Sequence, residues 1–302
     1  MTKQTGLLSS YPPPDAEAFR FTSARVKVIE GKLLSQADFL RFKNLSPGDR
    51  ARAIKGIYPW FDGDASSFRA QADRHLFGES ISLSEESGHP DLATYFLLPR
   101  AFAQVQASLE GATNPPAIVP FLGNYFDSCS ISDLPEGLRE VVSDAKNLYS
   151  TGEKPKARRL MTQKLVDMLM ESRFSKLSYF DECINAYSNL LEVRLVIASR
   201  IRKGSFVPIE GCEINGDCTP EQLAKTLGTT NPDLENLEQV ASKKFFEKVT
   251  ASRAIPAGPE VIFGYLSELE NELVNASMLL AGSLVALPPA ELEMAYGRAY
   301  VS

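Results

Sequence analysis

The stretch PEVIFGYLSELENELVNASMLLAGSL at Pro259–Leu284 decides the fold class. Its apolar residues recur at spacings of three and four, which is the period of one face of an α-helix. This apolar stripe consists of Ile262, Tyr265, Leu266, Leu269, Leu273, Ala276, Leu280 and Leu284. The polar residues assigned to the opposite side are Glu268, Glu270, Asn271 and Glu272. The segment is therefore predicted to be one long amphipathic helix.

Helical patterns also cover most of the remaining chain. They predict helices at 91–110, 136–149, 155–204, 219–228 and 231–252, and a first helix from Ser23 that is followed by another with Ser35 as its N-cap. Residues 1–20 contain three consecutive prolines and are expected to be extended. Residues 46–90 are expected to hold only short amphipathic pieces, and strand-like alternation is confined to 118–121 and 206–209. The predicted fold class is all-α, or α with minimal β.

Composition argues against a nucleic-acid-binding protein. The 302 residues include 32 Lys and Arg against 38 Asp and Glu, which gives a net charge of −6 and no basic stripe to neutralise phosphates. Two short basic clusters are interpreted as solvated helix ends. They consist of Lys154, Lys156, Arg158 and Arg159, and of Arg200, Arg202 and Lys203.

Motifs of catalysis and cofactor binding are missing from the sequence. Neither of the glycine-rich phosphate-binding patterns is present, and His75 and His89 lack the spacing of a metal site. The cysteines Cys129, Cys183, Cys212 and Cys218 form no C-x-x-C pair and are expected to be reduced thiols. We therefore expect no catalytic residue, no cofactor and no metal. The aromatic cluster of Tyr58, Trp60 and Phe61 belongs either to the core or to a partner contact.

An internal repeat is the most informative feature of the chain. The helical segment AFAQVQ at 101–106 precedes a V-P-x-x-G turn at 119–123, and NLLEVR at 189–194 precedes the same turn at 207–211. Both landmarks are displaced by 88 residues. The segment ELVNAS at 272–277 resembles a third copy that lacks the turn. Equivalent polar positions in the three copies are Gln104 and Gln106, Glu192 and Arg194, and Asn275 and Ser277. They are either ordinary solvated positions or parts of one common surface.

Both ends of the chain resemble one protein family. FTSARVKVIEGKLL at 21–34 is similar to the opening signature of the C/d-type stalk protein of the V/A-type (vacuolar and archaeal-type) rotary ATPases. Residues 258–292 are similar to its closing signature. The matching residues there are Gly258, Pro259, Glu260, Tyr265, Leu266, Glu272, Asn275, Ala281, Gly282, Leu284, Pro288 and Pro289. Glu192 and Arg194 fall on the equivalent positions of the second copy. The departures are Ser277 for Arg, Ser283 for Lys, Ser23 for Asn, and Ala101 for an acidic residue.

This resemblance implies an all-α funnel of three similar helical repeats with pseudo-threefold symmetry. The expected divisions are a lead-in at 1–20 and repeats at 21–117, 118–205 and 206–302. In that family the protein is a non-catalytic adaptor of the central stalk. It couples the rotor shaft (D/F-like proteins) to the membrane proteolipid ring for ion transport, as part of a peripheral membrane complex on the cytoplasmic side. The alternatives are a divergent helical scaffold outside a pump, and an all-helical enzyme with an unrecognised site.

The shaft contact is predicted at the polar repeat positions and at the second basic cluster. The candidate interface residues are Gln104, Gln106, Glu192, Arg194, Asn275, Ser277, Arg200, Arg202 and Lys203.

Overall fold

A computed structural model describes residues 8–10, 12–112, 119–128, 130–201 and 220–288. Over these ranges the regular structure is helical and contains no strand, so the all-α prediction is confirmed. The α-helices are α1 (Arg20–Glu30), α2 (Gln36–Lys43), α3 (Pro47–Ile57), α4 (Phe68–Glu86), α5 (Asp91–Leu109), α6 (Gly123–Ser128), α7 (Glu136–Ser150), α8 (Lys154–Glu171), α9 (Ser178–Ile201), α10 (Pro220–Thr226), α11 (Leu234–Thr250) and α12 (Pro259–Leu284). Short 3-10 helices include Pro120–Leu122, Arg173–Lys176 and Ala251–Ala254. Within the described ranges, no helix combines the length and the apolar character needed to cross a membrane.

The chain forms two compact units, each made of two segments. The first unit comprises Met1–Pro14 and Asp91–Lys248, and the second comprises Asp15–Pro90 and Val249–Ser302. The predicted divisions after residues 20, 117 and 205 follow the sequence repeat instead. The three-repeat funnel therefore stays a prediction.

Helix α12 is the centre of the second unit and packs against α1, α2, α3 and α4. Seven of the eight residues of its apolar stripe are buried, while Leu284 in the last turn is 58% exposed. Glu272 is also buried, with 3% of its surface exposed. The prediction that Glu272 faces solvent is wrong, because neighbouring helices surround α12 at this level instead of covering one face.

Serine caps define the starts of α2 and α3. The hydroxyl of Ser35 accepts a hydrogen bond from the N–H of Asp38, whose carboxylate accepts one from the N–H of Ser35. This reciprocal capping box confirms Ser35 as the predicted N-cap. Ser46 caps α3 through the N–H of Asp49 in the same way, and Pro47 follows it at the first helical position, where proline is favoured.

The expectation of only short pieces in residues 46–90 is wrong, because α4 has 19 residues. Its serines suggested breaks, but Ser80 and Ser84 are buried and donate to helix carbonyls, the latter at 2.7 Å to the carbonyl of Ser80. Hydroxyls that bond back to their own helix need no other partner. Serine therefore remains compatible with a buried helix here.

Helix α8 is the centre of the first unit and packs against α5, α7 and α9. An aromatic cluster of Tyr95, Phe174 and Phe180 joins α5 to the start of α9, with ring centroids 5.2 to 5.5 Å apart. Helices α10 and α11 add a second apolar cluster against α9. It contains Leu190, Val193, Val196, Leu223, Ala224, Leu227, Leu237 and Ala241.

Two local predictions in this unit are wrong. The single helix expected over 155–204 is divided into α8 and α9 at Ser172, whose backbone is extended (φ −66°, ψ 156°) so that Phe174 enters the core. The strand-like stretch at 118–121 contains a 3-10 turn, because Pro120 fixes a helical φ at its start. Its counterpart at 206–209 lies outside the described residues.

Candidate functional site

The predicted interface residues fall into two sets according to their burial. Gln104 on α5, Glu192 on α9 and Asn275 on α12 are called the inner positions here, and they are 8%, 0% and 0% exposed. Gln106, Arg194 and Ser277, two residues further along the same helices, are called the outer positions. Arg194 is exposed, and Gln106 and Ser277 are half-buried. The same difference in burial therefore holds on α5, α9 and α12.

Gln104 holds the V-P-x-x-G turn of the first copy. Its side-chain Oε1 accepts a hydrogen bond of 2.9 Å from the backbone N–H of Val119, and both groups are buried. A buried backbone N–H needs such a partner. Gln104 therefore has a structural role, and it does not present its amide to a binding partner.

Glu192 forms a buried ion pair with Arg159 of α8. Nη2 of Arg159 donates to Oε1 of Glu192 at 2.9 Å, and the two side chains are 8% and 0% exposed. The other carboxylate oxygen, Oε2, is buried and has no hydrogen-bond partner within the described structure. Burial raises the pKa of Glu192, and the attraction of Arg159 opposes that rise. Glu192 is thus held inside the first unit.

Asn275 is the inner position of the second unit. Its Nδ2 donates to the carbonyl oxygen of Asn271 one turn earlier, at 3.0 Å. Its Oδ1 is buried and accepts no hydrogen bond from the described part of the chain. All three inner positions are therefore buried, which excludes direct contact with a partner in this conformation.

Arg194 is the most accessible of the outer positions. Its side chain is 52% exposed, and its Nε lies 3.3 Å from Oε1 of Glu238 on α11, which is 34% exposed. Arg200 lies in the last turn of α9, but its side chain is outside what is described. Arg202 and Lys203 lie outside the described residues. The predicted basic part of the interface thus rests on Arg194 alone within the described chain.

In the first basic cluster, at residues 154–159, the prediction of solvated side chains is wrong for Arg158 and Arg159. Arg159 forms the buried pair with Glu192, and Arg158 forms a two-pronged pair with Glu110 at 2.7 and 2.6 Å. The hydroxyl of Tyr149 donates to the same carboxylate at 2.9 Å, and Gln106 donates at 3.2 Å. Burial alone would raise the pKa of Glu110, but these donors outweigh it and lower the pKa to about 2.

Glu272 matches the closing signature of the family, but its burial was not predicted from the sequence. Its Oε1 accepts from the hydroxyl of Tyr58 at the end of α3, and its Oε2 accepts from the backbone N–H of Leu34 between α1 and α2. Burial, opposed by these two hydrogen bonds, raises its pKa to about 7. One signal was present in the sequence: Glu272 follows Leu269 by three residues and precedes Leu273, so it borders the apolar stripe.

Two of the three residues in the aromatic cluster of Tyr58, Trp60 and Phe61 belong to the core. Tyr58 and Phe61 are 6% and 1% exposed, which confirms the core interpretation for both. Trp60 packs on His75 of α4, with ring centroids 5.0 Å apart. Burial lowers the pKa of His75, although the charge of Glu79 opposes this. Burial therefore favours the neutral form of His75.

His89 has a similar packing role, since its ring stacks on Phe19 at 4.6 Å. Within the described ranges, no three potential metal ligands are grouped together. The acidic pair Asp62 and Asp64 forms a turn, in which the N–H of Asp64 donates to Oδ1 of Asp62 at 2.8 Å. These polar groups order the fold, and the outer positions remain the candidate contact surface.

Comparison of the chain with protein-family models finds no match, and comparison with curated proteins finds no significant similarity.

Proposed function

We propose that this chain is a non-catalytic adaptor of the C/d type, which couples the central shaft of a rotary V/A-type ATPase to its membrane ring. The proposal is carried by one observation: three long helices at equivalent places in the sequence repeat each bear a buried polar residue followed, two positions later, by a more accessible one. A shared burial pattern in α5, α9 and α12 supports one structural role for the three copies. The resemblance at both chain ends supplies the function.

The departure at Ser283 is compatible with this proposal. Nη1 of the buried Arg50 donates to the hydroxyl of Ser283 and to the carbonyl of Leu279. A lysine at position 283 would place a second cation against this guanidinium, which is unfavourable in a buried site. Ser283 is therefore explained by the presence of Arg50.

Arg194 is the proposed contact with an acidic surface of the shaft. Its ion pair with Glu238 is about half exposed to solvent, and ion pairs at the surface contribute only about 0–1 kcal/mol. A carboxylate on a partner can therefore replace Glu238 at little cost. Charge at the edge of an interface mainly affects the association rate and its dependence on salt.

The test is binding of the full chain to purified D/F-like shaft proteins and to a detergent-solubilised proteolipid ring, measured by biolayer interferometry. We expect the wild-type chain to bind both, and we expect Arg194→Glu to weaken shaft binding about tenfold. Lys146→Glu, at an exposed position on α7, is the matched charge reversal and should bind normally. If the wild-type chain binds neither component, the pump assignment is wrong and the scaffold alternative is favoured. If Arg194→Glu binds normally while the wild type binds both, only the role of Arg194 is wrong.

A further inference from the structure

The carboxyl group of Glu272 is buried in the second unit, and no cation of the described chain is bonded to it. The two groups that donate to it, the hydroxyl of Tyr58 and the N–H of Leu34, are both neutral. This differs from the buried Glu192, which has an arginine partner at 2.9 Å. A buried carboxylate that is held only by neutral donors loses much of its hydration energy without gaining an ion pair.

The charges that act on Glu272 are also unfavourable for its ionised form. The charged groups that act on it, Asp38 of α2 and Glu268 of α12 itself, are both acidic. Glu268 is in turn paired with Arg253, which follows α11. The titratable and charged groups around this part of α12 are Tyr58 at the end of α3, Asp38 of α2, Arg25 of α1, Glu79 and His75 of α4, Tyr265 and Glu268 of α12, and Arg253.

The hydrogen-bond geometry determines which oxygen can take up a proton. Oε2 accepts from the N–H of Leu34, and a backbone amide is a donor that cannot become an acceptor. Oε1 faces the hydroxyl of Tyr58, and a phenol can either donate or accept. If Oε1 carries the proton, the hydroxyl of Tyr58 rotates and accepts from it, and the bond from Leu34 stays intact. Both protonation states therefore keep the hydrogen bonds that join the carboxyl group to Tyr58 and to Leu34.

We propose that Glu272 and Tyr58 form a proton-binding site inside the second unit, in which Oε1 of Glu272 takes up a proton and the Tyr58 hydroxyl reverses from donor to acceptor. Uptake removes one negative charge from the centre of the unit, beside Asp38 and Glu268. The stability of the chain thereby depends on pH in the physiological range. The pKa of Glu272, raised to about 7 by burial, agrees with this assignment.

The direction of the pH effect follows from linkage. A carboxyl group whose pKa is higher in the folded chain than in the unfolded chain binds a proton more tightly in the folded state. Its ionisation therefore destabilises the fold progressively as pH rises from the unfolded value of about 4.5 to the folded value of about 7. We expect the contribution of Glu272 to be constant above and below this window.

The direct test is infrared difference spectroscopy of the full chain between pH 5 and pH 8. We expect a carbonyl-stretch band of a protonated carboxyl group that disappears with a midpoint near pH 7 and is absent in Glu272→Gln. Glutamine preserves the size of the side chain and can still accept from Leu34. Glu85→Gln, which removes an exposed carboxyl group from α4 of the same unit, is the matched control and should retain the band.

Tyr58→Phe keeps the test decisive if Glu272→Gln does not fold. It removes the donor that favours the ionised carboxylate, so the midpoint of the band should move to higher pH. A band that persists in Glu272→Gln, a wild-type midpoint below pH 5, or a midpoint unchanged by Tyr58→Phe would each overturn the proposal. A shift in Tyr58→Phe together with an unchanged Glu85→Gln spectrum would establish it.

Discussion

Two carboxyl groups show how the charge of a donor determines the behaviour of a buried acid. Glu110 and Glu272 are both removed from water in part or in full, which by itself raises the pKa of each. Glu110 accepts hydrogen bonds from a guanidinium, a phenol and an amide, and its pKa falls to about 2. Glu272 receives a phenol and a backbone amide, which are neutral, and its pKa rises to about 7. The two groups consequently affect stability with opposite dependence on pH.

Substitution of Glu110 by glutamine should destabilise the chain at pH 7 by about 2 kcal/mol, because the pair with Arg158 favours the ionised form in the folded state. A carboxyl group with a lowered folded pKa contributes this stability above its unfolded value. The difference between wild type and Glu110→Gln should therefore vanish as pH falls from about 4.5 to about 2. Urea unfolding over this pH range measures it. Glu140→Gln, at an exposed site on α7, should show no such difference, and a pH-independent gap for Glu110→Gln would contradict the ion-pair explanation.

Arg50 is a buried charged residue whose removal should lower the free energy of unfolding. It is 4% exposed and donates to the last carbonyls around α2, at 3.1 Å to Phe42 and 2.9 Å to Lys43, as well as to α12. Arg50→Ala leaves several of these buried acceptors without a donor, so we expect a loss of about 3 kcal/mol in urea unfolding. Arg52→Ala is the control, since Arg52 is 79% exposed and forms a surface pair with Asp49. Its effect should stay below about 0.5 kcal/mol, and equal losses in the two variants would contradict the argument.

At the scale of single elements, replacing either of two helical glycines by alanine should change the stability of the chain in opposite directions. A Cβ added at Gly264 of α12 would lie 1.9 Å from the hydroxyl oxygen of Ser252 and 3.3 Å from the carbonyl oxygen of Val249. A Cβ at Gly78 of α4 would meet nothing within 4 Å. Gly264→Ala should therefore destabilise the chain by about 1–3 kcal/mol through overpacking. Gly78→Ala should stabilise it by about 1 kcal/mol, since alanine favours a helix.

Thermal unfolding followed by circular dichroism compares the two variants under the same conditions. We expect the two variants to differ because α12 lies close to the 3-10 turn at Ala251–Ala254, whereas Gly78 has no such neighbour. If both alanine variants raise the unfolding temperature, α12 does not pack against this turn as described.

The sequence predicts helices well where one face is apolar and the start has a cap. The bounds of α12 and the Ser35 cap are found in this way, because both depend on local chemistry. The break at Ser172 was missed because it depends on the burial of Phe174 in the core, and the length of α4 was missed because Ser80 and Ser84 donate back to carbonyls of their own helix. The burial of Glu272 was not predicted, because the periodicity of one helix cannot show how many other helices surround a given position.

The sequence names the candidate positions, and the structure shows which of them are buried. The repeat and the family resemblance predicted that Gln104, Glu192 and Asn275 belong to a contact surface. In the structure they are the buried members of the set, with Gln104 bonded to Val119 and Glu192 to Arg159. Internal partners at distant positions cannot be read from the helix pattern. The outer positions are at least partly exposed, so the proposed contact with the shaft is assigned to them.

At the scale of the whole molecule, the sequence repeat and the compact units divide the chain differently. The repeat predicts a middle segment at 118–205, whereas the first unit includes α5 and α11 as well. Helix α5 packs on α8, and α11 packs on α9 through Leu237 and Ala241. A fragment limited to 118–205 would leave these apolar faces of α8 and α9 uncovered. Repeats that pack only on their neighbours commonly depend on those neighbours for stability.

The fragment 91–248 should therefore fold alone, whereas 118–205 should not. The aromatic cluster of Tyr95, Phe174 and Phe180 lies entirely within the longer fragment, as do the Glu110–Arg158 and Glu192–Arg159 pairs. In the shorter fragment the two arginines remain, but Arg158 loses Glu110 and the cluster loses Tyr95. We expect cooperative urea unfolding and protected α8 amides in hydrogen exchange for 91–248, and dye-binding apolar surface without a cooperative transition for 118–205. Cooperative folding of 118–205 would instead establish the repeat as the folding unit, because a segment that lacks α5 and α11 can be stable only if its own helices bury enough apolar surface.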